Sequence, residues 1–170
     1  GIHAYGNVGR LVAEKAKAMG MQVCAFDPFV PADKMEAEGV KAMQTIEELY
    51  SNCDYVSLHI PANDQTKNSI NYELLSKRPK GACLVNTARK EVINEADMAK
   101  LLADRPDFKY VTDIAAGNSE ELSAFAPRYF ATPKKMGAQT AEANLNAGLA
   151  AANQIVDFIK NGVTKFQVNK

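Results

Sequence analysis

The sequence has no excess of charge: 20 basic residues balance 20 acidic ones, and Lys134-Lys135 is the only pair of adjacent lysines. Basic residues scattered in this way exclude a nucleic acid or another polyanion as the main partner. No apolar stretch approaches the ~20 residues needed to span a bilayer, so no membrane partner is expected. No charged-then-apolar leader precedes the first motif, and the chain reads as cytoplasmic. Cysteines number three, Cys24, Cys53 and Cys83. Each lies in a short apolar run, and none has a CxxC or Cys/His spacing, so buried free thiols and no metal are expected. There is no internal repeat and no low-complexity tract.

What is present is enough for one core. At 170 residues, 46% of them hydrophobic, the chain can bury a sizeable interior but has no room for a second full domain. It opens directly on Gly1-Ile2-His3-Ala4, scarcely half a strand before a glycine turn, and reads as an excerpt in which 1–170 form one domain. The spacing of Val8, Leu11, Val12, Ala16 and Met19 predicts an amphipathic helix, with Gly20 where a C-terminal cap belongs. Short apolar runs at Gln22–Phe26, Tyr55–His59, Ala82–Val85, Tyr110–Thr112 and Tyr129–Ala131 read as strands. Helical stretches lie between them at Ile46–Tyr50, Tyr72–Ser76 and Glu95–Ala103. Ala138–Lys160, ending at Asn161-Gly162, should be the longest helix. Apolar strands alternating with helices imply a parallel sheet covered on both faces. Pro28, Pro31, Pro61 and Pro133 fall just past strands, marking loops at the carboxyl end of the sheet, where ligands bind.

The first strand runs into Ala4-Tyr5-Gly6-Asn7-Val8-Gly9, a GxGxxG turn with alanine at the first glycine. Gly6 lets the backbone approach a pyrophosphate, and Gly9 lets the helix pack closely on the strand. Asn7 and Val8 offer amides at a positive helix end. Asp27 ends the next strand about 20 residues on, where a ribose-binding carboxylate is required. No arginine follows in Pro28-Phe29-Val30 to hold a 2′-phosphate, so NAD is favoured over NADP. The fold class is therefore α/β, a Rossmann-like doubly wound parallel sheet ending in a long helix.

Four blocks, in order and spacing, resemble the D-isomer-specific 2-hydroxyacid dehydrogenase family over nearly the whole length. They are the turn with Asp27, Leu58-His59-Ile60-Pro61 with Thr66-Lys67-Asn68, Val85-Asn86-Thr87-Ala88-Arg89, and Gly137-Ala138-Gln139-Thr140. The resemblance implies that Arg89 binds the substrate carboxylate and carbonyl beside the nicotinamide, a task suited to a planar two-pronged donor. Lys90 stands where the family usually has glycine. Asp113 corresponds to the aspartate that holds the nicotinamide carboxamide. His59 matches a histidine near the adenine, and its packed, non-catalytic reading is preferred. Ile60, Pro61, Thr66, Thr87, Ala88, Met136, Gly137 and Ala138 complete the expected cofactor contacts. The family places its dinucleotide domain between two pieces of a substrate domain. Here the substrate domain is essentially missing, with 163–170 as a candidate return segment, so the fragment is expected to bind NAD without turnover. The family usually dimerises through this domain, which implies a homodimer.

Two positions depart from the family. Its catalytic histidine aligns with Lys135, or with Lys134 one residue earlier, and the paired glutamate aligns with Asn118. Histidine is poised near neutrality and gains from a carboxylate, whereas lysine starts from about 10.4 and must be lowered to act as a base. An uncharged Asn118, a nearby Arg89 and a cationic nicotinamide ring all favour a neutral amine, so the two departures are chemically correlated. Glu120 and Glu121 remain candidates for a displaced carboxylate. The run from Thr132 to Thr140 is similar to a stretch of some 3-phosphoglycerate dehydrogenases of the family that carry lysine at this position. This implies oxidation of D-3-phosphoglycerate, the first step toward serine. A different 2-hydroxy acid (glyoxylate, hydroxypyruvate, D-lactate) and a non-catalytic NAD sensor stay open as alternatives.

Overall fold

The computed structural model describes residues 1–135, 137 and 139–169. Met136 and Ala138, expected beside the cofactor, lie outside the described residues. The chain divides into two compact units, Gly1–Lys134 and Lys135–Lys170.

The first unit is built on a seven-stranded sheet of order β3-β2-β1-β4-β5-β6-β7. The strands are β1 (Ile2–His3), β2 (Cys24–Phe26), β3 (Lys41–Ala42), β4 (Tyr55–Leu58), β5 (Cys83–Asn86), β6 (Lys109–Thr112) and β7 (Tyr129–Ala131). All neighbouring pairs are parallel. Connecting them are α1 (Asn7–Ala18), α2 (Ala32–Ala37), α3 (Ile46–Asn52), α4 (Tyr72–Ser76), α5 (Glu95–Asp104) and α6 (Ser119–Ser123). The chain winds outward from β1 through β3, then returns to β4 and winds the other way. The reversal opens a crevice at the carboxyl ends of β1 and β4, the switch point at which such sheets bind ligands.

Two clusters fill the interior. Ile2, Ala13, Ala25, Met35, Val40 and Ala42 join α1 and α2 to one face of β1–β3. Leu49, Tyr50, Leu75, Met98, Leu101 and Leu102 from α3–α5 cover the other face, against Val56, Leu58, Leu84 and Tyr110. Strand residues alternate between faces, so the partners of that second row point the opposite way. There Tyr55 is 56% and Phe130 59% exposed, leaving this face of β4–β7 only partly covered.

Helix starts follow side-chain chemistry. Thr45, Asn71 and Asn94 accept the amides of Glu48, Leu74 and Asp97 and so set the first turns of α3, α4 and α5. Cys53 and Cys83 are buried free thiols as expected, whereas Cys24 is only half-buried. The short α2 and β3, the turn Lys90–Val92 and α6 go beyond the elements read from periodicity. They are too brief to show a period.

The second unit contains α7 (Ala141–Asn161), whose N-terminus Thr140 caps by accepting the amide of Ala143 at 3.0 Å. It ends at Gly162, whose φ of 64° is the left-handed conformation a glycine adopts without a Cβ clash. Of the anticipated start, the described residues 139 and 140 precede the helix. No helix of the described residues is long and apolar enough to cross a membrane.

Candidate dinucleotide and substrate site

The turn after β1 is set by two glycines with different surroundings. A Cβ on Gly9 would lie 2.2 Å from the backbone oxygen of Ala4, so only glycine lets α1 approach the strand this closely. A Cβ on Gly6 would meet nothing within 4 Å, which leaves open space above the backbone of the turn. Gly6 is also the N-cap of α1 and provides no side-chain cap. The first-turn amides therefore remain for an external acceptor, and the helix end carries positive potential. Ala4, in place of the usual first glycine, sits at φ 76°. An alanine there stores roughly 1 kcal/mol of strain that glycine would avoid.

Asp27 is held from both sides. Its Oδ2 accepts the Tyr5 amide at 2.7 Å and its Oδ1 the Phe29 amide at 2.8 Å. These contacts fix the carboxylate beside the turn and leave lone pairs on each oxygen for a vicinal diol. Tyr5 serves the turn from beneath. Its amide is engaged by Asp27, its ring is buried, and its hydroxyl donates to Glu38 at 2.9 Å. Burial and that hydrogen bond push the Tyr5 phenol up to about 12. Arg10 pairs with Glu38 as well and helps hold its carboxyl below the ordinary carboxylate range. Asn7 and Val8 are exposed on the first turn.

Two histidines flank the crevice, and burial lowers the pKa of both. His3 is buried in β1 with Nδ1 3.2 Å from the Tyr50 hydroxyl. Burial brings its pKa down to about 4, despite the opposing field of Asp27. His59, half-buried just beyond β4, has Nε2 3.0 Å from Ser57 Oγ, and burial lowers its pKa too. This fits the packed reading of His59. Ile60 is buried, and Pro61 and Thr66 form one loop in which the Thr66 hydroxyl donates to the Pro61 carbonyl at 2.6 Å.

The loop after β5 presents Thr87, Ala88 and Arg89. Its organiser is Asn86, the second residue of the 85–89 block. Asn86 is fully buried; its Oδ1 accepts the Ala88 amide at 3.0 Å, and its Nδ2 donates to the Arg89 carbonyl at 3.0 Å. Thr112 ties the next strand in by donating to the Asn86 carbonyl at 2.9 Å. The Asp113 amide reaches the same carbonyl at 3.2 Å. Arg89 and Asp113 are thus carried by adjacent strand ends with a shared anchor. Arg89 is exposed, and its guanidinium donates to the Ala88 carbonyl at 2.9 Å. Lys90, in place of glycine, opens the short turn Lys90–Val92 that buries Val92.

Residues 1–134 match the family described as D-isomer specific 2-hydroxyacid dehydrogenase, NAD binding domain. The chain belongs to that family. It is 32% identical over 162 residues to the D-3-phosphoglycerate dehydrogenase of Bacillus subtilis, covering 94% of this chain and 30% of that protein. Against the hydroxypyruvate reductase of Thermotoga maritima it is 30% identical over 160 residues, covering 91% of this chain and 51% of the other. The NAD+-bound 3-phosphoglycerate dehydrogenase of Entamoeba histolytica superposes with a TM-score of 0.86 at 44% identity, over 99% of this chain and 54% of that one. The chain thus spans between 30% and 54% of the length of these relatives.

This NAD-binding domain has surroundings that suit its cofactor. The uncapped helix end, the open space over Gly6 and the fixed Asp27 carboxylate suit a pyrophosphate and a ribose diol respectively. At the family's glutamate position, the Asn118 amide donates to the Glu95 carbonyl and to Glu121 Oε2, each at 3.1 Å. Of the two acidic residues considered as a displaced carboxylate, Glu121 is therefore the one engaged by Asn118. Lys134 ends the first unit, its carbonyl 3.4 Å from the Thr132 hydroxyl. Lys135 and Gly137 open the second unit, in the segment leading to α7.

Proposed function

We propose that this chain is the cofactor-holding half of a longer NAD-dependent dehydrogenase that oxidises D-3-phosphoglycerate to 3-phosphohydroxypyruvate, in the direction of serine synthesis. The observation that favours this substrate most is the 44% identity, over almost the entire chain, with the Entamoeba 3-phosphoglycerate dehydrogenase. The substrate domain is taken to lie outside 1–170, with 163–170 leading back into it.

In this reading the first-turn amides of Asn7 and Val8 receive the pyrophosphate, with Gly6 and Gly9 giving access and Asp27 accepting the ribose hydroxyls. His59, Ile60, Pro61 and Thr66 wall the adenine side. Thr87, Ala88 and Asp113 line the nicotinamide side, where Asp113 accepts from the carboxamide, and Met136, Gly137 and Ala138 are the further cofactor contacts of this reading. Bound NAD supplies the hydride acceptor for C2 of the substrate. Arg89 grips the substrate carboxylate and carbonyl oxygens in one plane, and Lys135 takes the C2 hydroxyl proton as general base. Two protomers are taken to associate through this domain.

The test is turnover of D-3-phosphoglycerate by the longer protein. Lys135→Ala should lower kcat by at least about a hundredfold, the lower range for loss of a general base, with NAD affinity unchanged. Equal activity in Lys135→Ala but loss in Lys134→Ala would move the role by one residue; equal activity in both would remove it. The 30% identity to a hydroxypyruvate reductase favours a second reading, reduction of a small 2-keto acid. A higher kcat/KM for hydroxypyruvate than for 3-phosphohydroxypyruvate would establish it.

A further inference from the structure

We propose that Cys24 and Cys53 form a dithiol site that a low-molecular-weight disulfide oxidises to an intramolecular disulfide. The two side chains, far apart in sequence, meet over the backbone just before β1. A Cβ on Gly1 would lie 3.0 Å from Cys53 Sγ and 3.2 Å from Cys53 Cβ, so the Cys53 side chain rests where residue 1 has none of its own. Ile2 pairs with Ala25 in parallel register, which makes Gly1 and Cys24 neighbours one position earlier, about 5 Å apart across the ladder. Cys24 also packs against the core cluster that contains Cys53, on the face of the sheet covered by α3. The two thiols share a hydrogen bond. Their backbones are fixed as well. Cys24 is held in β2 by pairing with Lys41 of β3, and Cys53 ends α3 with its carbonyl accepting from the buried Arg78 guanidinium at 3.1 Å.

Burial assigns the order of events: Cys24 is half-buried and Cys53 fully so, which makes Cys24 the thiol that meets the reagent. The Cys24 thiolate attacks one sulfur of the small disulfide, whose S–S bond breaks, and the first small thiol leaves with the proton that Cys24 gave up. Cys53 then loses its proton and attacks the Cys24 sulfur of the mixed disulfide, expelling the second small thiol. Two electrons and two protons pass from the pair to the reagent, giving one protein disulfide and two small thiols. Burial and then the field of Cys53 push the Cys24 thiol up, against the opposing charges of the amino terminus and Lys41. The first step is therefore slow at neutral pH and faster as pH rises, because the thiolate is the nucleophile. The product ties the end of α3 to β2 and closes a loop of about 30 residues, which restricts the unfolded chain. A return of reducing thiols reopens it.

The test is incubation of the folded chain with oxidised glutathione, followed by alkylation in denaturant and peptide mapping by mass spectrometry. The chain should lose two hydrogens in mass, keep Cys83 as its one alkylated thiol, and yield a peptide linked through Cys24 and Cys53. Dithiothreitol should restore all three thiols. Cys83, whose Sγ lies 3.8 Å from the Leu84 carbonyl oxygen on β5, provides the control, and Cys83→Ser should form the same bond. Cys53→Ser should stop at a glutathione adduct on Cys24, and Cys24→Ser should form no disulfide. The urea midpoint should rise on oxidation in the parent and in Cys83→Ser, and stay unchanged in Cys24→Ser. Three free thiols after oxidation, a glutathione adduct that persists on Cys24 in the parent, or a bond that includes Cys83 overturns the inference. The parent's peptide map gives each of these results even if a serine variant fails to fold.

Discussion

Gly9→Ala should damage folding and cofactor binding together, because one added methyl meets backbone just past the central strand β1. The Cβ would lie 2.2 Å from the Ala4 oxygen and 3.1 Å from Ile2 Cγ2. An unforced carbon–oxygen contact is about 3.3 Å, so α1 has to retreat by roughly 1 Å. The carbonyl cannot rotate away as a side chain would, and Ala4 at φ 76° already occupies a restricted conformation. Overpacking of this kind costs ~1–3 kcal/mol. Replacing a helical glycine by alanine returns at most ~1 kcal/mol in helix propensity. With backbone as the obstacle we take the upper end, a net loss of ~2 kcal/mol, or about 4–8 °C in Tm for a domain of this size. Displacing the helix by ~1 Å also moves its first-turn amides relative to Asp27, so NAD affinity should fall by about tenfold or more. Thermal melts followed by circular dichroism and calorimetric NAD titrations measure the two effects. A variant that melts within 1 °C of the parent and binds NAD normally would refute the packing argument.

Gly6→Ala should separate the two effects: its Cβ meets nothing within 4 Å, so Tm should drop by no more than about 2–4 °C, the equivalent of a ~1 kcal/mol capping difference. NAD titration of the same variant should still show a large loss, since the methyl fills the space above the turn. His3, lowered to about 4 by burial, contributes stability that is fully present above its unfolded value near 6.5 and is lost as pH falls from there toward 4. The loss should approach ~3 kcal/mol. Urea midpoints measured from pH 7.5 to 4.5 should therefore fall less steeply in His3→Gln, and parallel slopes would count against this role. Asn86→Leu leaves the Ala88 amide and Arg89 carbonyl without their shared partner. It should cost ~1–3 kcal/mol in urea unfolding, and in the longer protein it should raise KM for the 2-hydroxy acid.

Long elements with a clear period were legible in the sequence. The pattern of Val8, Leu11, Val12 and Ala16 located α1, and the apolar runs around Val56, Leu84 and Tyr110 located the central strands. Tyr72–Ser76 and Tyr129–Ala131 coincide with α4 and β7 as observed. Lys41–Ala42 could not be seen in this way, because two residues become a strand only by pairing with Cys24 and Ala25. Pro31 was read as loop punctuation, although it also begins α2. In the site, the spacing of Gly6, Gly9 and Asp27 was visible because the phosphate turn is local in sequence. The work of Asn86 was not: its side-chain partners Ala88 and Arg89 are local, but its complete burial and the Thr112 bond to its carbonyl arise only once β5 and β6 lie side by side. Arg78 illustrates the same limit from the other direction. In the charged run Lys77-Arg78-Pro79-Lys80 it looks like a surface residue, yet it is 3% exposed and donates to the carbonyls of Cys53, Asp54 and Cys83. Those carbonyls converge only once β4 and β5 are side by side.

The central claim is that the Gly6–Gly9 turn and Asp27 form a site for NAD. Its most direct test is calorimetric titration of the chain with NAD and with NADP, repeated on Asp27→Ala. The account predicts that NAD binds, that NADP binds at least tenfold more weakly because its 2′-phosphate meets the Asp27 carboxylate, and that Asp27→Ala narrows the difference. No measurable NAD binding, or equal affinity for the two dinucleotides, would contradict it.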